Sequence, residues 1–392
     1  MMNWGEQVMS QNVGNGIVHI LSSLGFENVR ANMEKDTLTV AYESNIYRWD
    51  VRGLIVIIDT IVNNVKSPVH LRIITLKNDI PVFETSLNSD DWKAFRNDSI
   101  TKEQLKEKVQ LTYLTESSWK SLEGIKKTNS DLFKFDLIIY PQFTFANFFF
   151  DKIYEVQFNL APALVFSPWR GSTFTGQVIF PVYSDITYGP QSIRPGYLTL
   201  SQKFRLPGRL YTTITAGQFS RGTNDRYGID LEIRHPFKNP HWMIDLDLAL
   251  TGRSLFKSGT LYFEKEMNLA GFLRFGYFYS KFNLQFDLSV GRFIYHDYGI
   301  RFDCSRHFGE TTVGFYAIYS GGEKNGGFNF TIPFPPGKRG RKLPVRILPP
   351  RYYELEYNVN GSMYQGRYFK SNPDENRSVD YFNLLYIKNS LH

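Results

Sequence analysis

The sequence predicts a mainly β protein: a transmembrane antiparallel β-barrel of about 12–14 strands, preceded by a small soluble α/β domain of αββαββ order. Three observations lead there. Aromatic rings make up 16% of the 392 residues, with 33 Phe, 24 Tyr and 6 Trp. One soluble core buries few rings, whereas a barrel displays them to lipid and in girdles at both interfaces. No stretch of about 20 consecutive apolar residues occurs, so no helix of the chain is expected to cross a bilayer. From Asp131 onward, apolar and polar residues alternate with a period of two.

Residues 1–125 read differently and set the first domain, linker included. Val8, Val13, Ile17, Ile20, Leu21 and Leu24 recur near a 3.6-residue period, which predicts a helix over 4–24 with Gly25 as its stop. Short strands follow at 27–33 and 36–43. Leu54, Ile55, Ile58, Ile61, Val62 and Val65 then make one apolar face of a helix over 52–65. Pro68 marks the break, and strands near 69–76 and 81–87 complete the unit. Between Asp90 and Ser130 the chain is charged and without strand period, so helix and linker are expected there.

The second domain is expected to span 126–392. Tyr154, Val156, Phe158 and Leu160 alternate with Glu155, Gln157 and Asn159, and Ile229, Leu231 and Ile233 with Asp230, Glu232 and Arg234. The same holds for Ile244, Leu246, Leu248 and Leu250 against Asp245 and Asp247, and for Leu284, Phe286, Leu288 and Val290 against Asp287. Ile300, Phe302 and Cys304 alternate with Arg301 and Asp303. Similar stretches lie near 134–146, 172–183, 197–206, 210–219, 258–264, 269–279, 310–320, 326–334 and 351–359. Turn signals separate them, such as Pro207-Gly208, Gly222-Thr223-Asn224-Asp225 and Gly321-Gly322. Helix signals are absent from this half.

A soluble barrel or sandwich also alternates, but with its charges outside. Here charges sit in mid-strand while rings gather at strand ends: Phe143, Phe145, Phe148, Phe149 and Phe150; Tyr277, Phe278 and Tyr279; Phe293, Tyr295 and Tyr298. That arrangement suits apolar residues facing lipid around a wet lumen. Asp230, Glu232, Arg234, Asp245, Asp247, Arg274, Asp287, Arg301 and Asp303 are therefore the lumen-lining candidates, their opposite signs pairing in cross-lumen ladders.

No G-x-S-x-G elbow, H-E-x-x-H pair, phosphate-binding glycine loop or cysteine metal spacing is present, and Cys304 is the single cysteine. No catalytic residue, metal or cofactor is expected, and the protein reads as non-enzymatic. His235, His241, His296 and His307 fall near strand ends and read as interfacial or loop residues. Residues 334–351 are basic and proline-rich, which predicts a loop carrying Lys338, Arg339, Arg341, Lys342 and Arg346. Such a loop is either plainly solvated or a contact for an acidic polymer or lipopolysaccharide phosphates. The formal charge of +7 is modest, and no nucleic-acid partner is expected.

Leu24-Gly-Phe-Glu-Asn-Val-Arg30 and Val40-Ala-Tyr-Glu-Ser-Asn-Ile-Tyr-Arg48 resemble the repeated N-terminal motif of the YjbH-like (GfcD-like) exopolysaccharide and capsule biosynthesis proteins. Leu71-Arg-Ile-Ile-Thr-Leu-Lys-Asn-Asp-Ile-Pro-Val-Phe83 is similar to the family's next hairpin. Thr312-Val-Gly-Phe-Tyr-Ala317 and Gly326-Gly-Phe-Asn-Phe-Thr-Ile-Pro-Phe334 are similar to its barrel strand pair ending in Ile-Pro. The chain is short for the family, with one evident α/β unit, and Tyr352-Tyr-Glu-Leu-Glu-Tyr357 stands where an Arg-Asp-Gly-like ending is usual.

The resemblance implies a Gram-negative outer-membrane barrel with a periplasmic α/β domain that serves polysaccharide export or assembly. The expected partners are outer-membrane lipid and lipopolysaccharide, a polysaccharide chain, and envelope proteins met through the N-terminal domain. The alternative is an accessory barrel of another envelope machine, such as a protein secretion system. An outer-membrane protein needs a signal peptide, and the first apolar run, residues 17–24, is broken by His19 and two serines. The leader is therefore expected to have been removed or to lie upstream of Met1.

Overall fold

The structure, a computed structural model, describes residues 4–146, 155–186, 191–219, 225–294, 296–358, 370–375 and 382–391. It divides into two units, and each is described by itself.

Unit 1 begins with α1 (Trp4–Ser23), β1 (Glu27–Glu34), β2 (Thr37–Glu43), α2 (Asp50–Asn64), β3 (His70–Lys77) and β4 (Ile80–Asn88), the expected αββαββ order. Parallel strands need a crossover, and α2 supplies it between β2 and β3. Its apolar stripe, Leu54, Ile55, Ile58, Ile61 and Val62, is buried in full. Gly53 lets α2 approach closely, since a methyl there would meet Ser44 Oγ at 2.6 Å. Asn78 and Asp79 both take positive φ, which is the tight hairpin turn between β3 and β4.

The stretch after Asp90 holds α3 (Ser89–Arg96), α4 (Lys102–Lys108), β5 (Gln110–Thr112) and α5 (Glu116–Lys120). The N-cap of α4 is a reciprocal Thr101–Gln104 capping box. The brief β5 pairs with β4 as the fifth strand of the sheet, which runs in the order β1 to β5. Three residues show no period, so alternation could not have revealed it.

Unit 1 is not confined to the N-terminus. It comprises Met1–Leu132 with Pro336–Lys342 and Tyr381–His392, two later segments that the sequence assigned to the second domain. The first returns as backbone: the Arg48 N–H donates to Gly337 O at 2.9 Å, and the Arg339 N–H to Ile46 O at 2.5 Å. The second carries α6 (Leu384–Ser390), a helix in a half where none was expected. Its seven residues are too few for a periodic signal, and Asn383 caps it by accepting from Leu385 and Tyr386 N–H. Tyr386 is fully buried, and its hydroxyl accepts from Trp49 Nε1 at 2.9 Å.

Unit 2 is one 14-stranded sheet. Its antiparallel strands follow chain order: β6 (Phe135–Ala146), β7 (Glu155–Phe166), β8 (Ser172–Ser184), β9 (Arg194–Leu206), β10 (Leu210–Phe219), β11 (Arg226–Pro236), β12 (Trp242–Lys257), β13 (Thr260–Tyr279), β14 (Leu284–Arg292), β15 (Tyr298–Phe308), β16 (Thr311–Ser320) and β17 (Glu323–Pro333). The two stretches expected near 258–264 and 269–279 are one strand, β13, which kinks where its register against β12 shifts between Gly252 and Ser254.

Two short strands complete the sheet, β18 (Val345–Leu348) beside β6 and β19 (Tyr352–Asn358) beside β17. The prolines of residues 334–351 were expected to exclude strand there. Instead Pro344 and Pro349 bracket four proline-free residues that run parallel to β6, an edge position that proline tolerates at its ends. On β6, Phe143 meets Tyr353 of β19 with ring centroids 6.1 Å apart, while among the described residues the sheet itself ends at β18 and β19 without a ladder between those ends.

Tyr386→Ala should destabilise unit 1 by about 3 kcal/mol, through the cavity and the lost hydrogen bond to Trp49. Urea titration followed by tryptophan fluorescence would measure it; an unchanged midpoint would show that unit 1 stands without its C-terminal helix.

Candidate functional site

The strands of unit 2 bury the polar side of their alternation and expose the apolar side. On β15, Arg301, Asp303, Ser305 and His307 are buried, while Tyr298, Ile300, Phe302 and Phe308 are exposed. On β16 the buried set is Thr312, Gly314, Tyr316, Ile318 and Ser320, and the exposed set is Val313, Phe315 and Tyr319. Leu160, Leu164, Val178, Leu198, Leu200, Ile214, Ile229, Leu248, Leu250, Leu269 and Leu288 continue the exposed face along the other strands. A soluble sheet does the reverse. The candidate site is accordingly the buried polar face.

Cross-strand register assembles it. Arg234 stands opposite Asp245, and Asp245 opposite Arg274. Arg234 Nε donates to Asp245 Oδ1 at 3.2 Å, while Arg274 donates to Asp245 Oδ2 through Nε at 2.9 Å and also through Nη2. One carboxylate thus bridges guanidinium groups from two neighbouring strands, with charge-assisted bonds that fix the register.

A second group is built around Arg301, whose Nε and Nη2 grip Asp303 at 2.8 and 2.7 Å. Its Nη2 also reaches Glu356 Oε2 on β19 at 3.0 Å. The guanidinium stacks over the Tyr316 ring, 4.2 Å from the centroid. Asp287 lies across from Asp303 in register, accepts from Gln285 Nε2 at 2.6 Å, and is 2% exposed. Glu232 and Asp247 face each other between β11 and β12, and Asp230 is buried one step along the same face. All nine sequence candidates therefore share one face, although they form separate clusters.

Several members of this face were not expected. His307 was read as an interfacial or loop residue, yet it is 3% exposed and bonds Thr312 Oγ1 and Gln285 Oε1 at 2.9 and 3.1 Å. The parity of its strand carries the signal, since His307 is an even number of residues from Arg301 and Asp303. The same parity moves Phe278 off the expected aromatic girdle, and Phe293 leaves it as well. Both are buried, and Phe293 packs edge-on against Phe272 at 4.9 Å. Phe148, Phe149, Phe150 and Tyr295, together with turn residues 222–224 and residue 359, lie outside the described residues.

The basic segment separates into two roles. Lys338 and Lys342 are exposed, but Arg339 is buried and Arg341 largely so. Arg341 Nε lies 3.7 Å from Glu27 within unit 1. Arg346 is on β18, where it holds Asp136 with two bonds of 2.6 and 2.8 Å. A freely solvated polybasic loop is not what forms, because the charges meet partners on the elements that the segment joins. Among the described residues, no group of three His, Cys, Asp or Glu side chains is arranged to hold a metal ion.

Asp245→Asn should cost about 3–5 kcal/mol, because Arg274 would be left buried without its countercharge. Replacing Asp245 and Arg274 together by Leu and Met should cost less than the single change. Urea midpoints of the folded protein in detergent test this, and equal losses would mean that water reaches the pair.

No curated protein sequence matches the chain. The family model described as "Exopolysaccharide biosynthesis protein YbjH" matches residues 6–189 and 186–335, the stretch that holds the first α/β elements and the strands up to β17. The chain belongs to this YjbH family of exopolysaccharide biosynthesis proteins.

Proposed function

We propose that this protein is an outer-membrane β-barrel that takes part in exopolysaccharide export or assembly without catalysing a reaction, and that its unit 1 is the periplasmic domain. The observation that carries the membrane part is the inverted polarity of unit 2. Such a sheet is at odds with water on its exposed face, which offers large apolar side chains from strand after strand. It suits a hydrocarbon environment, where backbone groups must be satisfied between strands and open edges are not tolerated. Closing the sheet into a barrel is part of this proposal, and the Phe143–Tyr353 ring contact between β6 and β19 is compatible with it.

The dimensions agree with a bilayer. Tyr298 and Phe308 mark the two ends of the exposed face of β15. Ten residues at about 3.4 Å each, tilted by about 40°, give the strand a height of roughly 26 Å, close to the ~25 Å of outer-membrane barrels, with Arg306 interrupting its exposed apolar face next to the Phe308 end. Rings collect at both rims, with Trp169, Phe204, Phe237, Trp242 and Phe282 toward one and Tyr183, Tyr262, Tyr298 and Tyr319 toward the other.

The exopolysaccharide part rests on family membership. The ionic, hydrogen-bonded face would then brace the wall of the barrel, while unit 1 meets lipoproteins and other envelope proteins of the export machinery. Lipid and lipopolysaccharide would surround the wall, with Lys338 and Lys342 as exposed cations near the domain junction in sequence.

Two measurements test this reading. Leu248→Arg, on the exposed face in mid-strand, should destabilise the folded protein in lipid by about 2–4 kcal/mol; a neutral effect, or a wild-type protein monodisperse without detergent, would defeat the membrane assignment. Deleting the gene should reduce or mislocalise surface polysaccharide, and unchanged amount and placement would count against the export role.

A further inference from the structure

Residues 125–132 lead the chain out of unit 1, and they do so along the edge of β1. The Asn28 N–H donates to Asn129 O at 3.0 Å, and the Val29 N–H to Thr128 O at 3.1 Å. The Thr128 N–H returns to Val29 O at 2.9 Å, and Asn129 Nδ2 reaches Phe26 O at 2.7 Å. Asn28 and Asn129 both take positive φ, at 53° and 54°. Asn28 sits where the β1–β2 register shifts, so the edge is bent where the segment is fastened.

The fastening buries Asp131 at its end, 6% exposed, in an acidic neighbourhood. Glu27 of β1 and Glu43 of β2 are its nearest carboxylates, and Asp79 of the β3–β4 turn lies behind Lys127. The first three acids are well provided for. Glu43 accepts from Asn28 Nδ2 at 2.7 Å and from the Asn78 and Asp79 N–H groups at 2.8 and 3.0 Å. Glu27 accepts from Asn45 at 2.7 Å and has Arg341 at 3.7 Å. Asp79 is gripped by Arg30 at 2.7 and 3.0 Å and by Lys127 at 3.1 Å. Asp131 has Lys127 at 3.8 Å and a side-chain hydrogen bond with Asn28, while its Oδ1 accepts no hydrogen bond. Arg30, Lys127 and Arg341 are the cations that meet this group at 2.7, 3.1 and 3.7 Å.

We infer that the exit segment is an acid-tightened latch: a proton taken up by the buried Asp131 removes its repulsion with Glu43 and Glu27 and holds residues 125–132 more firmly on β1. Burial first, then the charge of Glu43, pushes the Asp131 carboxyl up from an ordinary 3.8 to about 6, against the pull of Asn28 and Lys127. Docking therefore gains from Asp131 most fully below the ordinary value, and the gain is lost as pH rises through about 6. Asp79 works in a separate window. Burial would raise its carboxyl, but Arg30 and Lys127 together hold it below the usual range, so its contribution fades only as pH falls under that of an ordinary carboxylate.

Hydrogen exchange of the full-length protein in detergent tests the latch. After correction for intrinsic rates, the Asn28, Val29 and Thr128 amides should be roughly tenfold more protected at pH 5 than at pH 7.5, the ratio that a rise from 3.8 to about 6 implies. The Ile73 amide in the middle of β3 should not change with them, and Asp131→Asn should abolish the dependence. Equal protection at the two pH values overturns the proposal, as does a parallel change at Ile73 or a pH dependence that survives in Asp131→Asn. The wild-type comparison decides the matter even if that variant fails to fold.

Discussion

Side-chain parity governs this molecule. In a strand, neighbouring side chains leave on opposite faces, so a slip of one residue would exchange every buried charge for a hydrocarbon. Unit 2 repeats that hazard over a long series of hairpins, and its buried face holds the register through directional contacts. Asp245 can bridge Arg234 and Arg274 only when β11, β12 and β13 are correctly aligned. Arg301 reaches Asp303 on its own strand and Glu356 on β19, linking strands that are far apart in sequence. The apolar face carries no such information, because one leucine packs much like another.

Where the backbone comes closest, side chains have been removed altogether. Gly217 and Gly228 are register partners on β10 and β11, with φ of 144° and 146°. A methyl on either would meet a carbonyl oxygen of the next strand at 2.1 Å. The charged clusters and this glycine pair act in complementary ways, the first selecting an alignment and the second letting neighbouring backbones approach within it.

Much of this was legible in the chain because period is a local property. The alternation from Asp131 onward located the strands, and the stripe from Leu54 to Val62 located α2. Parity alone places Asp230, Asp245, Asp287, Arg301 and Asp303 on the polar sides of their strands. What stayed hidden was short or long-range. The strand Gln110–Thr112 and the helix Leu384–Ser390 are too brief for a repeat to register. Arg339 looked like one more cation in a basic run, and its burial depends on Ile46, almost 300 residues earlier in the chain. Phe293 was assigned by ring type and position near a strand end, whereas its packing on Phe272 is settled in three dimensions.

The composite make-up of unit 1 bears on how the polypeptide is made. A ribosome releases Trp49 long before its hydrogen-bond partner Tyr386, with the strands of unit 2 synthesised in between. The α/β unit therefore keeps part of its interior uncovered until Tyr386 has emerged. A stop codon between β19 and Leu384 would strip α6 from the unit made first, while leaving the strands that precede it in the chain complete.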